Sequence, residues 1–231
     1  MPTLPELVAR LSFLAAIPAV AGILITANIL VVSREWRLNV FALIVQYFFA
    51  IMLMTRLIRL EVAAIKGLIG WMSCMIFYLT ERRGAELTRA AQPGAGKQDR
   101  PAPEQHRWQR WTALSRAAFY LLAGLLVSVV AYMATLRFPL PEEVIPPDIT
   151  LACYLMVGLG LLLIGLSESP MQVGVGLLTF LLGFDLFYVA IEQSLVVVGL
   201  IGAVNLLIAL AASFLRIAQL TAESRRAGGA R

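Results

Sequence analysis

Seven apolar runs, each close to the length that crosses a bilayer, follow one another along the 231-residue chain. A membrane-spanning helix needs about 20 apolar residues, and the two-residue alternation of barrel strands is absent from these runs. The first run is long and lacks a small-residue cleavage site, so we expect a retained helix. The pattern predicts an all-α integral membrane fold with seven transmembrane helices, at 12–32, 38–55, 62–80, 117–136, 149–166, 171–190 and 195–215.

The composition strengthens this interpretation and excludes several classes of protein. Hydrophobic residues make up 60% of the chain and charged residues 14%, whereas soluble domains have about 45–50% and about 25%. The net charge of +5 comes from basic residues outside the apolar runs, so we expect no nucleic-acid partner. Cys74, Cys153 and the single His106 are too few and too scattered for a disulfide framework, a metal site or a histidine-bound cofactor. We expect no metal and no cofactor.

The distribution of basic residues predicts the orientation of the chain. Fourteen of the nineteen Lys and Arg residues fall in 33–37, 81–116 and the residues after the last predicted span, 216–231, which alternating helices place on one side. Four fall on the other side, and Lys66 lies inside a helix. Basic residues in short loops stay in the cytoplasm. This bias predicts an N-terminus outside and a cytoplasmic C-terminus.

A polar segment divides the membrane part of the chain. Within it, AAQPGAGKQDRPAPEQ predicts a flexible stretch, and HRWQRWTALSR places Trp108 and Trp111 among arginines as an anchor to membrane lipids. The expected parts are a three-helix membrane part at 1–80, a basic cytoplasmic linker at 81–116, a four-helix membrane part at 117–217 and a cytoplasmic tail at 218–231.

Two charges, Lys66 and Asp185, interrupt the apolar runs. Counted from the outer ends of their predicted helices, they lie about 6 Å and about 7–8 Å deep. Either charge alone in hydrocarbon costs about 2.5–3.5 kcal/mol. Three roles are open for Lys66: it snorkels to the outer headgroups, it forms a static ion pair with Asp185 or with a neighbouring subunit, or it belongs to a proton or ion relay. Asp185 is too short to snorkel, which favours pairing or function.

Weaker polar signals lie deeper in the helices. Gln46, Thr179 and Asn205 are candidates for hydrogen bonds between helices. The chain contains no phosphate loop, catalytic triad or metal cluster. We therefore assign no catalytic residue and expect the chain to be non-catalytic by itself, which leaves open whether it is a subunit of an enzyme.

The order of features resembles a known family. The carrying segments are ITANILVVSREWRLNVFALIVQYFFAIML, AAIKGLIGWM, LMVGLGLLLIGLSESPMQVGVGLLTFLLGFDLFYVAI and VVVGLIGAVNLLIALAASFL. Over about residues 20–217 they resemble the membrane subunit called hydrogenase-4 component E. The C-terminal helices are similar to subunit 4L (chain K) of NADH–quinone oxidoreductase and to the small C subunit of multisubunit cation/proton antiporters.

This resemblance implies a subunit in the membrane arm of a complex I-related respiratory or hydrogenase complex, in a bacterial inner membrane. The subunit would lie beside antiporter-like subunits and would contribute to proton translocation or scaffold it. Lys66 matches the family's third-helix lysine. The chain departs from the family at SESP, where a basic turn is usual, and at Gly183 and Ala203, where acids are expected.

Two other functions are alternatives to this one. The chain could be a structural or assembly membrane protein whose Lys66 and Asp185 only join helices. A small stand-alone transporter would instead predict a polar cavity at mid-depth and a repeated half, and neither is visible in the sequence.

Overall fold

Helices account for all regular structure in the described part of the chain. The computed structural model describes residues 4–33, 35–91, 103–138, 145–191 and 194–229. The side chains of Trp108 and Trp111, and residues 92–102 of the linker, lie outside the described residues. Within the described ranges the helices are α1 (Leu4–Val32), α2 (Trp36–Met54), α3 (Leu60–Ala91), α4 (Pro103–Arg137), α5 (Pro147–Leu166), α6 (Pro170–Ile191) and α7 (Leu195–Gly229).

Each predicted span lies within one of these helices to within a residue, which confirms the all-α class. Six helices, α2 to α7, are long and apolar enough to cross a membrane, and α1 has a shorter described apolar stretch, Ile17–Val32. Three helices continue well past their predicted spans, since α3 has 32 residues and α4 and α7 have 35 each. At 1.5 Å per residue, α3 is about 48 Å long, against about 30 Å of hydrocarbon.

The helices pack as two layers. In the first layer α4, α1, α2 and α3 lie side by side, and in the second α5, α6 and α7 do so. Across the layers α5 packs on α4 and α1, α6 on α2, and α7 on α3. The α5–α6 interface is the most extensive. As a result α2 and α3 face α6 and α7, and the charged residues lie where these four helices meet.

Local sequence explains where several helices begin and end. The backbone N–H of Gln172 donates to the Ser169 hydroxyl at 3.3 Å, and Pro170 begins α6 as expected for a residue without an N–H. Between α2 and α3, residues 55–59 form a turn. Arg56 in this turn makes an ion pair with Asp148 in the first turn of α5, which joins the two layers at this end of the bundle.

Large apolar side chains fill the interior and also cover the outside. Tyr47, Phe77 and Leu178 are fully buried. On α4 only 11% of the spanning segment is buried, and Leu122, Leu126 and many other apolar side chains are exposed. An exterior of this kind is stable against lipid rather than water.

Candidate functional site

Lys66 and Asp185 form a buried ion pair between α3 and α6. The Lys66 ammonium donates to Asp185 Oδ1, and the two side chains are only 6% and 5% exposed. Each residue lies six positions from the nearer end of its helix, which is about 9 Å along the helix axis. The two charges therefore lie at the same level, and the lysine is directed into the bundle. Each charge offsets part of the other's cost in hydrocarbon.

Four helices enclose this pair. A cavity of about 10 Å³ lies beside it, and its lining includes Tyr47 from α2 and Asn205 from α7. That volume holds about one water molecule. Tyr47 and Asn205 are buried, so the ion pair is surrounded by polar side chains as well as by apolar packing.

A second interhelical ion pair lies at the opposite end of the bundle. Arg216 Nε of α7 donates to Glu81 Oε1 of α3 at 3.1 Å, and the Glu81 side chain is 7% exposed. The sequence interpretation missed this pair because both residues lie just outside the predicted spans, Glu81 at the start of the linker and Arg216 directly after the span that ends at 215. A signal was present: each is the first charged residue after an apolar run, and the two runs end on the same predicted side.

A larger cavity adjoins this second pair. Its volume is about 120 Å³, and Asn39, Glu81, Gln172 and Arg216 are among its lining residues. It has room for several water molecules. The bundle thus has a polar cavity at each of two levels, separated along α3 by the fifteen positions from Lys66 to Glu81, or about 22 Å.

Unpaired polar atoms occur at and between these levels. On α2, Asn39 lines the larger cavity and Tyr47 lines the smaller one, and Gln46 lies between these two residues along the helix. On α7, Ser213 lies between Asn205 of the smaller cavity and Arg216 of the larger one. Within the described part of the chain, these buried atoms have no hydrogen-bond partner: Asn39 Oδ1, Gln46 Oε1, Gln46 Nε2, Tyr47 OH, Asn205 Oδ1 and Ser213 Oγ. An unsatisfied buried polar group costs about 1–3 kcal/mol, and water is the usual partner where space permits.

The three weaker candidates are arranged differently from one another. The Thr179 hydroxyl donates to Val175 O of its own helix at 2.9 Å. Gln46 and Asn205 are buried and contribute unpaired atoms. Hydrogen bonding of these residues between helices therefore stays a prediction. We call the two ion pairs, together with the unpaired polar groups of α2 and α7, the polar line, and Gln46 and Asn205 belong to it.

An apolar section separates the two cavities. Phe77 of α3 lies between Lys66 and Glu81 and is fully buried. Its ring reaches α6, because a Cβ on Gly174 would lie 3.0 Å from Phe77 Cζ. Leu178, one turn further along α6, is also fully buried. Apolar side chains therefore interrupt the polar groups between the two levels, and Phe77 lies about one turn from Glu81.

The structure gives a packing reason for the position of the acid on α6. A Cβ on Gly183 would lie 2.8 Å from Met156 Cβ and 3.0 Å from Val157 N on α5. An acidic side chain at 183 would collide with α5 in this packing. Asp185 is two residues on, about 200° around the helix, and it faces α3.

Helices of this length, their apolar exterior and the buried charge pairs define a multi-pass α-helical membrane protein. No protein-family model matches the chain, and comparison with curated proteins and with solved structures finds no match either.

Proposed function

We propose that the chain is a small, non-catalytic subunit of the membrane arm of a complex I-related respiratory or hydrogenase complex in a bacterial inner membrane. In this proposal it crosses the membrane seven times, with its N-terminus outside and its C-terminus in the cytoplasm. The distribution of basic residues supports that orientation. Antiporter-like subunits would be its partners.

The observation that carries the proposal is the line of polar groups from Lys66–Asp185 to Glu81–Arg216. Ionisable residues inside a membrane are costly and generally mark ion or proton paths. Here the Lys66 ammonium donates a hydrogen bond to the Asp185 carboxylate beside a cavity. Buried polar atoms without a hydrogen-bond partner follow along α2 and α7 in the direction of the Glu81–Arg216 pair. Waters bound to these atoms would extend the line, and rearrangement around Phe77 would be needed to connect its halves.

A structural role is the second candidate, and it also rests on a specific observation. Lys66–Asp185, Glu81–Arg216 and Arg56–Asp148 each join two different elements. Three such pairs could simply fix helix positions, as the assembly-protein hypothesis requires. The two candidates differ in what happens when a pair is replaced by neutral residues.

The test measures proton pumping and electron transfer separately in membrane vesicles from the native host. The variants are Lys66→Met, Asp185→Asn, the double variant and Gln46→Leu, which removes a buried amide without touching a charge. We expect the double variant and Gln46→Leu to assemble and to transfer electrons, while proton pumping falls at least about tenfold. Arg59→Gln, on an exposed residue, is the control.

Two results would contradict the proposal. If pumping survives in all four variants, these residues are not on a proton path and the structural candidate is preferred. If an affinity-tagged chain purified from native membranes brings no other membrane subunit with it, membership of a larger complex is wrong.

A further inference from the structure

A cleft of about 600 Å³ opens between α2 and α3 at the end of the bundle that contains Glu81 and Arg216. Its lining includes two arginines, Arg37 and Arg82, one carboxylate, Glu86, and the aromatic residues Trp36 and Tyr78. Trp36 and Val40 also line the cavity beside Glu81 and Arg216, whereas Arg37, Arg82 and Tyr78 do not. The cleft's combination of cations, aromatic rings and an open side differs from the enclosed interior of the bundle.

Contacts among the lining residues hold the cationic groups near the cleft. The Arg37 guanidinium lies 5.2 Å from the centroid of the Trp36 ring, and the Trp36 and Tyr78 rings are 6.1 Å apart. Arg82 Nε lies 3.6 Å from Glu86 Oε1, and both side chains are more than 60% exposed. Because exposed pairs of this kind contribute little stability, Arg82 can leave Glu86 for a competing anion.

The start of α2 adds to the positive potential. The N-cap residue Glu35 makes no side-chain hydrogen bond to this helix start, and the partial positive charge of a helix N-terminus favours an anion. Arg37 lies within the first turn. An anionic group placed between Arg37 and Arg82 would meet two guanidinium groups, which bind phosphate oxygens in a bidentate manner.

Apolar residues continue from the cleft toward the middle of the helices. On α2, Phe41 and Ile44 line the cleft, and Phe48 follows on the same face with 56% of its surface exposed. On α3, Met75 and Trp71 lie on the same face as Tyr78 and are 57% and 53% exposed. Residues three or four apart share a helix face, so two apolar stripes descend side by side from the cationic cleft.

We propose that this cleft binds one anionic phospholipid. The phosphate lies between Arg37 and Arg82, Trp36 and Tyr78 lie at the level of the headgroup, and an acyl chain follows the stripes on α2 and α3. Aromatic residues are enriched at this level of the membrane, and basic clusters beside spanning helices attract anionic lipids. The inference does not depend on the proposed function.

The experiment measures lipid binding to the full chain, purified in detergent and delipidated, by native mass spectrometry. The probes are phosphatidylglycerol and phosphatidylcholine with identical acyl chains, and glycerol 3-phosphate as the headgroup without chains. We expect one phosphatidylglycerol to bind at least about tenfold more tightly than phosphatidylcholine, and glycerol 3-phosphate to bind too weakly to compete.

The decisive variant is R37Q/R82Q, with R59Q/R137Q as a control that removes the same charge from exposed arginines elsewhere. We expect the preference for phosphatidylglycerol to disappear in the first and to persist in the second. Where the double variant does not fold, R82Q alone serves, because the Arg82 side chain is 64% exposed; its affinity should fall at least about threefold.

Three results would overturn the proposal. The first is equal binding of the two lipids by the unmodified chain. The second is an equal loss of affinity in R37Q/R82Q and R59Q/R137Q, which would indicate nonspecific attraction to charge. The third is full competition by glycerol 3-phosphate, which would make the cleft a site for soluble phosphate compounds and not for lipid.

Discussion

Lys66 and Asp185 have side chains of opposite charge in a region where neither would be stable alone. Their contact neutralises both charges without bringing either to the membrane surface. The hydrocarbon around them makes this contact more valuable than a similar pair in water, because solvent does not compete for the charges.

We expect Lys66→Met and Asp185→Asn each to lower the free energy of unfolding by about 3 kcal/mol, because each leaves one buried charge without its partner. The double variant should recover most of that loss. Denaturant titration of the detergent-purified chain measures all three values. A double variant as unstable as the sum of the singles would mean that the two side chains do not interact.

The Arg56–Asp148 pair provides the matched comparison. Its side chains are 22% and 24% exposed, so water screens the charges and either residue can be solvated after its partner is removed. We expect Arg56→Met to cost no more than about 1 kcal/mol. The difference in lost unfolding free energy between Lys66→Met and Arg56→Met then measures the effect of burial and not the general effect of removing a positive charge.

Part of this site could be predicted from the sequence. Lys66 and Asp185 were identified because a charge inside an apolar run is conspicuous, and the positive-inside bias placed them at matching depths. Glu81 and Arg216 were missed for a physical reason: the hydropathy pattern marks where apolar residues end, whereas the hydrogen bonding of a helix continues into polar sequence. The burial of Glu81 and the partial burial of Arg216 depend on α3 and α7 packing together beyond the apolar span.

Helix packing between α5 and α6 brings the two backbones unusually close. A Cβ on Gly160 would lie 2.6 Å from Phe180 N and 3.0 Å from Gly176 O. Main-chain atoms cannot move aside as the end of a flexible side chain can, so any side chain at this position must push the helices apart. Small residues at such crossings are a general means of association for membrane helices.

Replacing Gly160 by alanine should therefore destabilise the protein by about 1–3 kcal/mol. Gly165 lies on the same helix with nothing within 4 Å of a Cβ, and Gly165→Ala should change stability by less than about 1 kcal/mol. Thermal unfolding of the two variants in the same detergent gives the comparison. Equal midpoints for both would contradict the close backbone contact.

The ends of the helices were less predictable than their existence. Apolar length identified the helices, because a bilayer of fixed thickness requires about 20 apolar residues per span; six of the seven predicted segments lie in helices long and apolar enough to cross a membrane. It could not indicate that α3 extends to Ala91 or that α4 begins at Pro103, since polar helix and polar loop have similar compositions. The layer arrangement was also not predictable from one sequence, because uniformly apolar helices carry little information about which face meets which neighbour.

The bundle as a whole has two distinct ends. Residues from α2, α3, α6 and α7 meet around Glu81 and Arg216 at one end, and the turn with Arg56 meets α5 at the other. The basic-residue bias predicts that the first end faces the cytoplasm. The orientation is a property of the whole chain and is open to a direct test.

We expect Arg59→Cys to react with a membrane-impermeant maleimide on intact cells or spheroplasts, and Glu223→Cys to react only after the membrane is permeabilised. Both native residues are exposed. The two native cysteines, Cys74 and Cys153, are buried and should give a low background, which the unmodified chain checks. The opposite labelling pattern would invert the proposed topology.

One helix, α3, supplies a partner to each of the two buried ion pairs, Lys66 to α6 and Glu81 to α7. A continuous helix transmits axial displacement along its length, so a shift that loosens one contact strains the other as well. We therefore expect a movement of α3 along its axis to change both ion pairs together. A spectroscopic label on the polar C-terminal part of α3 would then report whether the Lys66–Asp185 contact is intact.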